Sequence, residues 1–209
     1  EWRDPSYQRV YRGELSVRGF LRRTALGFSR EIVKEPNLLA IWPQFLAAVP
    51  QARCLLVVRD PRDNVRSILD RLGLPGDLED LTHAQRSANG PGWALYLDGS
   101  WLGLEPGSYI ETMARRWNLG FRFLTANRER TVLVRYEDFL RDKEGVIARA
   151  AAGVGLPARH SLGAEADRQY QPKGSGNRDW RAVFGESNLD RIERICAEGM
   201  EALGYEPSA

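Results

Sequence analysis

Cysteine, histidine and lysine are scarce in this sequence, and each scarcity removes a class of chemistry. The only cysteines, Cys54 and Cys196, form no spaced pair. With His83 and His160 as the only histidines, no zinc-ligand spacing exists. Both cysteines lie in apolar stretches, so buried free thiols are expected rather than a disulfide framework. No run of about 18 apolar residues occurs, so no membrane-spanning helix is expected. No signal-peptide pattern is visible, and a cytoplasmic location is the expectation. Of 30 basic side chains only Lys34, Lys143 and Lys173 are lysines, so positive charge is carried almost wholly by guanidinium groups. The net charge of +2 gives no reason to expect a nucleic acid partner. A Gly-rich Lys-Ser/Thr loop of the nucleotide-kinase kind is also missing, as are repeats and low-complexity linkers.

What is present is an ordinary globular composition, 43% hydrophobic and 28% charged, in a chain of 209 residues. That is enough for one domain with a sizeable core, so a single domain over 1–209 is expected. Short apolar runs alternate with helical periods. Glu31 to Lys34 is a brief strand candidate ending at the turn Glu35-Pro36-Asn37, and Leu38 to Leu46 recur at helical spacing. Cys54 to Val58 is an unbroken apolar run that suits a strand buried on both faces. Asp60-Pro61 predicts a helix start, with Val65, Ile68, Leu69 and Leu72 on one face and Gly73 as its stop. Residues 74–107 hold three Pro-Gly or Gly-Pro turns with Trp93, Tyr96 and Trp101 between them. They read as a long loop or lid insertion, with a short helix near Asp80 to Arg86. A helix follows near Tyr109 to Asn127, then a strand at Thr131 to Arg135. Another helix is capped by Asp142 and ended by Gly153 or Gly155. A last helix runs from Ser187 or Asn188 to Gly204.

Alternating strands and helices imply an α/β fold with parallel strands, where ligands bind beyond the carboxyl ends of the strands. The strand-ending residues are therefore the ones to weigh. Arg59 is the first residue after a buried strand, and Ser67 lies about two helical turns further on. A guanidinium and a hydroxyl so placed can converge on one phosphate. The rival reading pairs Arg59 with a neighbouring carboxylate, Asp60 or Asp63.

The segment Val57-Val58-Arg59-Asp60-Pro61-Arg62-Asp63, with Ser67 eight residues after Arg59, resembles the 3′-phosphate site of sulfotransferases that use 3′-phosphoadenylyl sulfate (PAPS). Three further segments agree in order and spacing. Val134-Arg135-Tyr136-Glu137-Asp138 resembles the family's strand ending in Tyr-Glu-Asp, with Gly155-Leu156-Pro157 after the next helix. Lys173-Gly174-Ser175-Gly176-Asn177-Arg178-Asp179-Trp180 resembles its late Lys-Gly loop. Val33-Lys34-Glu35-Pro36 resembles the Lys-x-Pro turn of bacterial members. The resemblance implies a P-loop-like three-layer α/β/α fold with a parallel central sheet. It assigns Arg59 and Ser67 to the 3′-phosphate, Tyr136 to the adenine, and Lys173 with the Gly174 amide to the phosphate cradle, Arg178 adding charge. Lys34 would stabilise charge developing on the sulfonate, and Glu35 is the nearest carboxylate for a general base, with His83 more distant.

The family's first strand and its Lys/Arg-Ser-Gly-Thr-Thr loop, which holds the sulfonated end of PAPS, have no counterpart in Glu1 to Arg30. With Glu1 in place of Met, an N-terminally incomplete domain is the expectation. Two functions follow. One is sulfonate transfer from PAPS to a hydroxyl or amine of a small-molecule or carbohydrate acceptor, with no metal required. The other is a non-catalytic remnant that binds adenosine 3′,5′-bisphosphate.

Overall fold

The computed structural model describes residues 6–157, 162, 163, 165, 168 and 179–208. In chain order these form α1 (Ser6–Tyr11), α2 (Val17–Arg23), α3 (Ala25–Phe28), α4 (Trp42–Ala48), β1 (Cys54–Val58), α5 (Pro61–Leu72), α6 (His83–Ser87) and α7 (Pro91–Leu97). They continue with α8 (Tyr109–Ala126), β2 (Thr131–Arg135), α9 (Tyr136–Arg141), α10 (Lys143–Gly153) and α11 (Trp180–Leu203), and short 3-10 turns occupy Pro36–Ile41, Ser100–Leu102 and Arg128–Arg130. The described chain is thus mostly helical, and its α/β character rests on the single strand pair. It divides into two units, 1–52 with 82–107 and 53–81 with 108–209.

The first unit is built on aromatic packing. Tyr7 and Phe20 meet at 4.8 Å between ring centroids, Phe28 stands edge-on to Phe20 at 5.5 Å, and Trp42 stacks on Phe45 at 5.4 Å. Such pairs add to the burial of large apolar rings. Residues 82–107 contain more helix than the turn-rich sequence suggests. Thr82 and Gln85 form a capping box that starts α6, and Pro91 starts α7 after Gly90 at φ 87. Trp101 is buried in this unit, its Nε1 donating to the Leu95 carbonyl at 3.1 Å. Residues 31–34 do not form the expected strand. Ile32 and Val33 have the β-branching a strand favours, but Ile32 is exposed and no described strand lies beside it to share hydrogen bonds.

In the second unit β1 and β2 pair in parallel, in register from Cys54↔Thr131 to Val58↔Arg135. Leu56 and Val58 are buried on one face, whereas Leu55 and Val57 on the other are 44% and 53% exposed. Burial on both faces was the expectation for β1. Helix α10 covers the second face only over β2, where Val132 and Val134 pack with Phe139, Val146 and Ala150. Helices α5, α8 and α11 form the main core through Val65, Leu69, Ile110, Met113, Leu189 and Ile192. Asp60 caps α5 by accepting the Arg62 amide at 2.9 Å, and Gly73 closes it in the left-handed region at φ 62. Helix α11 begins at Trp180, earlier than its apolar stripe implies, because Asp179 caps a leading turn. Gly185, at φ 63 and ψ 171, breaks the helical path, and the expected start at 187–188 is the start of the longer part. Both cysteines are free. Burial pushes the Cys54 thiol up to about 11 and the Cys196 thiol higher still. Among the described residues no helix is long and apolar enough to cross a membrane.

Candidate anion-binding site

The register of the strand pair brings two of the predicted residues together. Val58 lies opposite Arg135, so the next residue on each strand, Arg59 and Tyr136, leaves the same edge of the sheet. The Arg59 guanidinium sits over the Tyr136 ring at 5.0 Å from its centroid, a favourable cation–π placement. Tyr136 in turn stacks on Phe139 at 6.2 Å.

The backbone that carries Arg59 is held from two sides. Trp117 of α8 donates its indole N–H to the Arg59 carbonyl at 2.8 Å. The Asp60 amide donates to Glu137 Oε1 at 2.9 Å, and Tyr205 donates its hydroxyl to Glu137 Oε2 at 2.9 Å. Burial raises the Tyr205 phenol above its ordinary range, so it stays protonated and remains a donor. Glu137 therefore ties the end of β1 to the start of α9. This is why a Tyr-Glu pair is useful at that strand end: the ring faces the guanidinium, and the carboxylate fixes the turn that presents it.

Arg59, Asp63 and Ser67 form a row at four-residue spacing running into α5. Asp63 Oδ2 accepts from Arg59 at 3.3 Å. Its other oxygen, Oδ1, accepts from Arg66 Nε and Nη2, both at 3.4 Å, and from the Trp180 indole at 3.1 Å. The Arg59 side chain keeps 24% of its surface exposed. Ser67, one turn beyond Asp63, is exposed. The pairing of Arg59 with Asp63 is the rival reading of the sequence seen in atomic detail, but it engages only one guanidinium nitrogen.

The second arginine of the segment does different work. Arg62 is buried to 2% exposure and forks onto Asp60 through Nε at 3.0 Å and Nη2 at 2.7 Å. It also donates to Glu193 at 2.7 Å, to Ser208 at 3.2 Å and to the Glu206 carbonyl at 2.8 Å. Its guanidinium lies 3.8 Å from the centroid of the Trp180 ring. Burial acts to raise the Glu193 carboxyl, and the Ser208 hydroxyl and amide together with Arg62 outweigh it, leaving the group below its ordinary value. Arg62 is therefore saturated with partners and serves to anchor the N-terminus of α5.

Lys34 is exposed on irregular backbone in the first unit. Glu35, in the same unit, caps the following 3-10 turn, its Oε1 accepting from the Asn37 amide and side chain at 3.0 Å each. His83 is exposed at the start of α6. Lys173, Gly174 and Arg178 lie outside the described residues. Sequence reasoning did not single out Trp117 or the role of Trp180. Trp117 sits in no recognisable motif, and Trp180 is marked only as the end of the Lys-Gly segment. Among the described residues no group of His, Cys, Asp and Glu is placed to hold a metal ion.

A guanidinium with free donors beside an aromatic face, at the carboxyl edge of parallel strands, is suited to a phosphate attached to a planar base. The chain is 25% identical over 214 residues to human carbohydrate sulfotransferase 6, covering 89% of this chain and 50% of that protein. It is 24% identical over 212 residues to mouse carbohydrate sulfotransferase 5, covering 90% of this chain and 51% of that protein. The chain is thus distantly homologous to carbohydrate sulfotransferases and spans about half the length of these relatives. No family model and no solved structure matches it.

Proposed function

We propose that this chain is the nucleotide-binding part of a sulfotransferase that moves a sulfonate group from PAPS to a hydroxyl or amine, with a carbohydrate as the favoured acceptor class. The observation that carries this reading is the stacking of Arg59 on Tyr136 where the two parallel strands end. Arg59 and Ser67 would hold the 3′-phosphate, and Tyr136 would lie against the adenine. Lys173, Gly174 and Arg178 would complete the cradle. Similarity to carbohydrate sulfotransferases over nine-tenths of the chain supports the same assignment. On this reading the strand pair is part of a P-loop-like, three-layer α/β/α fold with a parallel central sheet.

In the proposed reaction the acceptor oxygen or nitrogen attacks sulfur in line. The bond from sulfur to the bridging phosphate oxygen breaks, and adenosine 3′,5′-bisphosphate leaves with that electron pair. Lys34 would neutralise charge on the bridging oxygen, and Glu35 would take the acceptor proton. Positioning and fixed positive charge can supply most of the rate, so no metal is invoked.

A second reading is bisphosphate binding without transfer. The observation favouring it is that the described residues before β1 are helices and turns, with no strand leading into a Gly-rich Ser/Thr loop. A turnover assay with PAPS and a panel of sugars, phenols and alcohols, run beside calorimetry with adenosine 3′,5′-bisphosphate, separates the two. Transfer supports the enzyme, and binding with no transfer selects the second reading. Arg59→Ala should reduce bisphosphate affinity at least tenfold, because a charge-assisted contact to phosphate is lost. Unchanged affinity would remove the basis for the site.

A further inference from the structure

We infer that Asp63 is a built-in stand-in for the 3′-phosphate: it parks Arg59 in the unliganded protein and competes with the incoming anion, so that it sets the affinity of the site. This rests on the reading of Arg59 as the phosphate donor.

The two oxygens of Asp63 have separate duties. Oδ1 is held by Arg66 and Trp180, and Oδ2 takes a single contact from Arg59 at 3.3 Å. A carboxylate bonded only to Arg59 would be stranded without a counter-charge when Arg59 moved to another anion, and stranding a largely buried charge is costly. Here Arg66, 5% exposed on its side chain and also paired with Asp70 at 3.1 Å, remains beside Oδ1 and, with the Trp180 indole, offsets part of the Asp63 charge. Arg59 can therefore leave without stranding Asp63 entirely. Its contact engages one nitrogen, and its side chain is a quarter exposed, unlike the saturated Arg62. The Tyr136 ring also holds the guanidinium in place. Arg59 is thus preorganised without being locked.

The arrangement also has a consequence for selectivity. Asp63 is a negative charge within reach of the group proposed to bind the 3′-phosphate, so it opposes that phosphate specifically. A nucleotide without one should be indifferent to Asp63. A merely structural Asp63 would affect both nucleotides alike.

The test measures binding of adenosine 3′,5′-bisphosphate and of adenosine 5′-monophosphate to the wild-type protein, Asp63→Asn and Asp63→Ser. Asp63→Asn keeps an acceptor for Arg66 and Trp180, and Asp63→Ser controls for new bonds made by the amide. Expected is a gain of roughly three- to tenfold for the bisphosphate in both variants, with the monophosphate unchanged. Equal or weaker bisphosphate binding in folded variants overturns the inference while leaving Arg59 as the phosphate donor. A wild-type protein that does not distinguish the two nucleotides overturns the phosphate site itself and this inference with it. Should both variants fail to fold, the carboxyl carbon resonance of Asp63 in the wild-type protein, titrated with the bisphosphate, decides. It must shift as Arg59 departs, and a static resonance at saturation refutes the handover.

Discussion

At the scale of single residues, two arginines three positions apart divide the labour of one segment. Arg59 is half-buried with donors to spare, and Arg62 is buried with every direction occupied. They are indistinguishable by type, so their roles come from placement: one stands before the helix cap, the other inside its first turn. Replacing Arg62 by Met would leave Asp60 and Glu193 without their buried partner. Breaking such a pair from one side costs about 3–5 kcal/mol, which a denaturant melt would register. A loss below ~1 kcal/mol would show that the network contributes little. The acid limb of the stability curve tests the same cluster. The Glu193 carboxyl is lower in the folded chain than its ordinary value of 4.5. Its contribution is therefore present above pH 4.5 and lost as pH falls through the folded value. Glu193→Gln should flatten stability against pH below that point, and an unchanged acid limb would count against the assignment.

At the scale of elements, the strands, helix starts and glycine stops carried by short-range chemistry were legible in the chain. Cys54–Val58 and Thr131–Arg135 are strands as their apolar runs predict, and Asp60-Pro61, Asp142 and Gly204 act as caps and stop. What depends on distant partners was not legible. Residues 31–34 have strand composition but no described neighbour to pair with, and β1 is covered on one face because α10 reaches only β2. Helix α6 was foreseen in part, while α7 was hidden by its flanking Gly and Pro, which here begin a helix. In the site, Arg59 could be named from its strand end and Tyr136 from the Tyr-Glu-Asp resemblance. Trp117 could not, since it reaches the Arg59 carbonyl from a helix 58 positions away. That link depends on Gly199 of α11, where an added Cβ would lie 2.6 Å from the Trp117 ring. Gly199→Ala should therefore cost about 1–3 kcal/mol by overpacking and also weaken bisphosphate binding, through the shifted carbonyl. A fluorescence melt and calorimetry on the same sample check both. Normal binding in a destabilised variant would confine Trp117 to packing.

At the scale of the whole molecule, Arg59, Ser67 and Tyr136 all belong to the second unit, as do both thiols. A ligand that binds only the folded form stabilises the unit that holds its site, by about 2.7 kcal/mol at a hundredfold excess over Kd. Cys196 is fully buried and, like Cys54, protonated at neutral pH, so both should react with thiol reagents chiefly after the second unit opens. Thiol labelling along a urea gradient thus reports the unit that contains the proposed nucleotide site. Adenosine 3′,5′-bisphosphate should move that labelling midpoint to higher urea in the wild-type protein and move it less in Arg59→Ala. The comparison requires neither an acceptor nor turnover, so it holds whether or not the chain transfers sulfonate. If saturating bisphosphate left the wild-type midpoint where it was, the nucleotide would not be bound by residues 53–81 and 108–209, and the stacked Arg59 and Tyr136 would be no more than a strand-end contact.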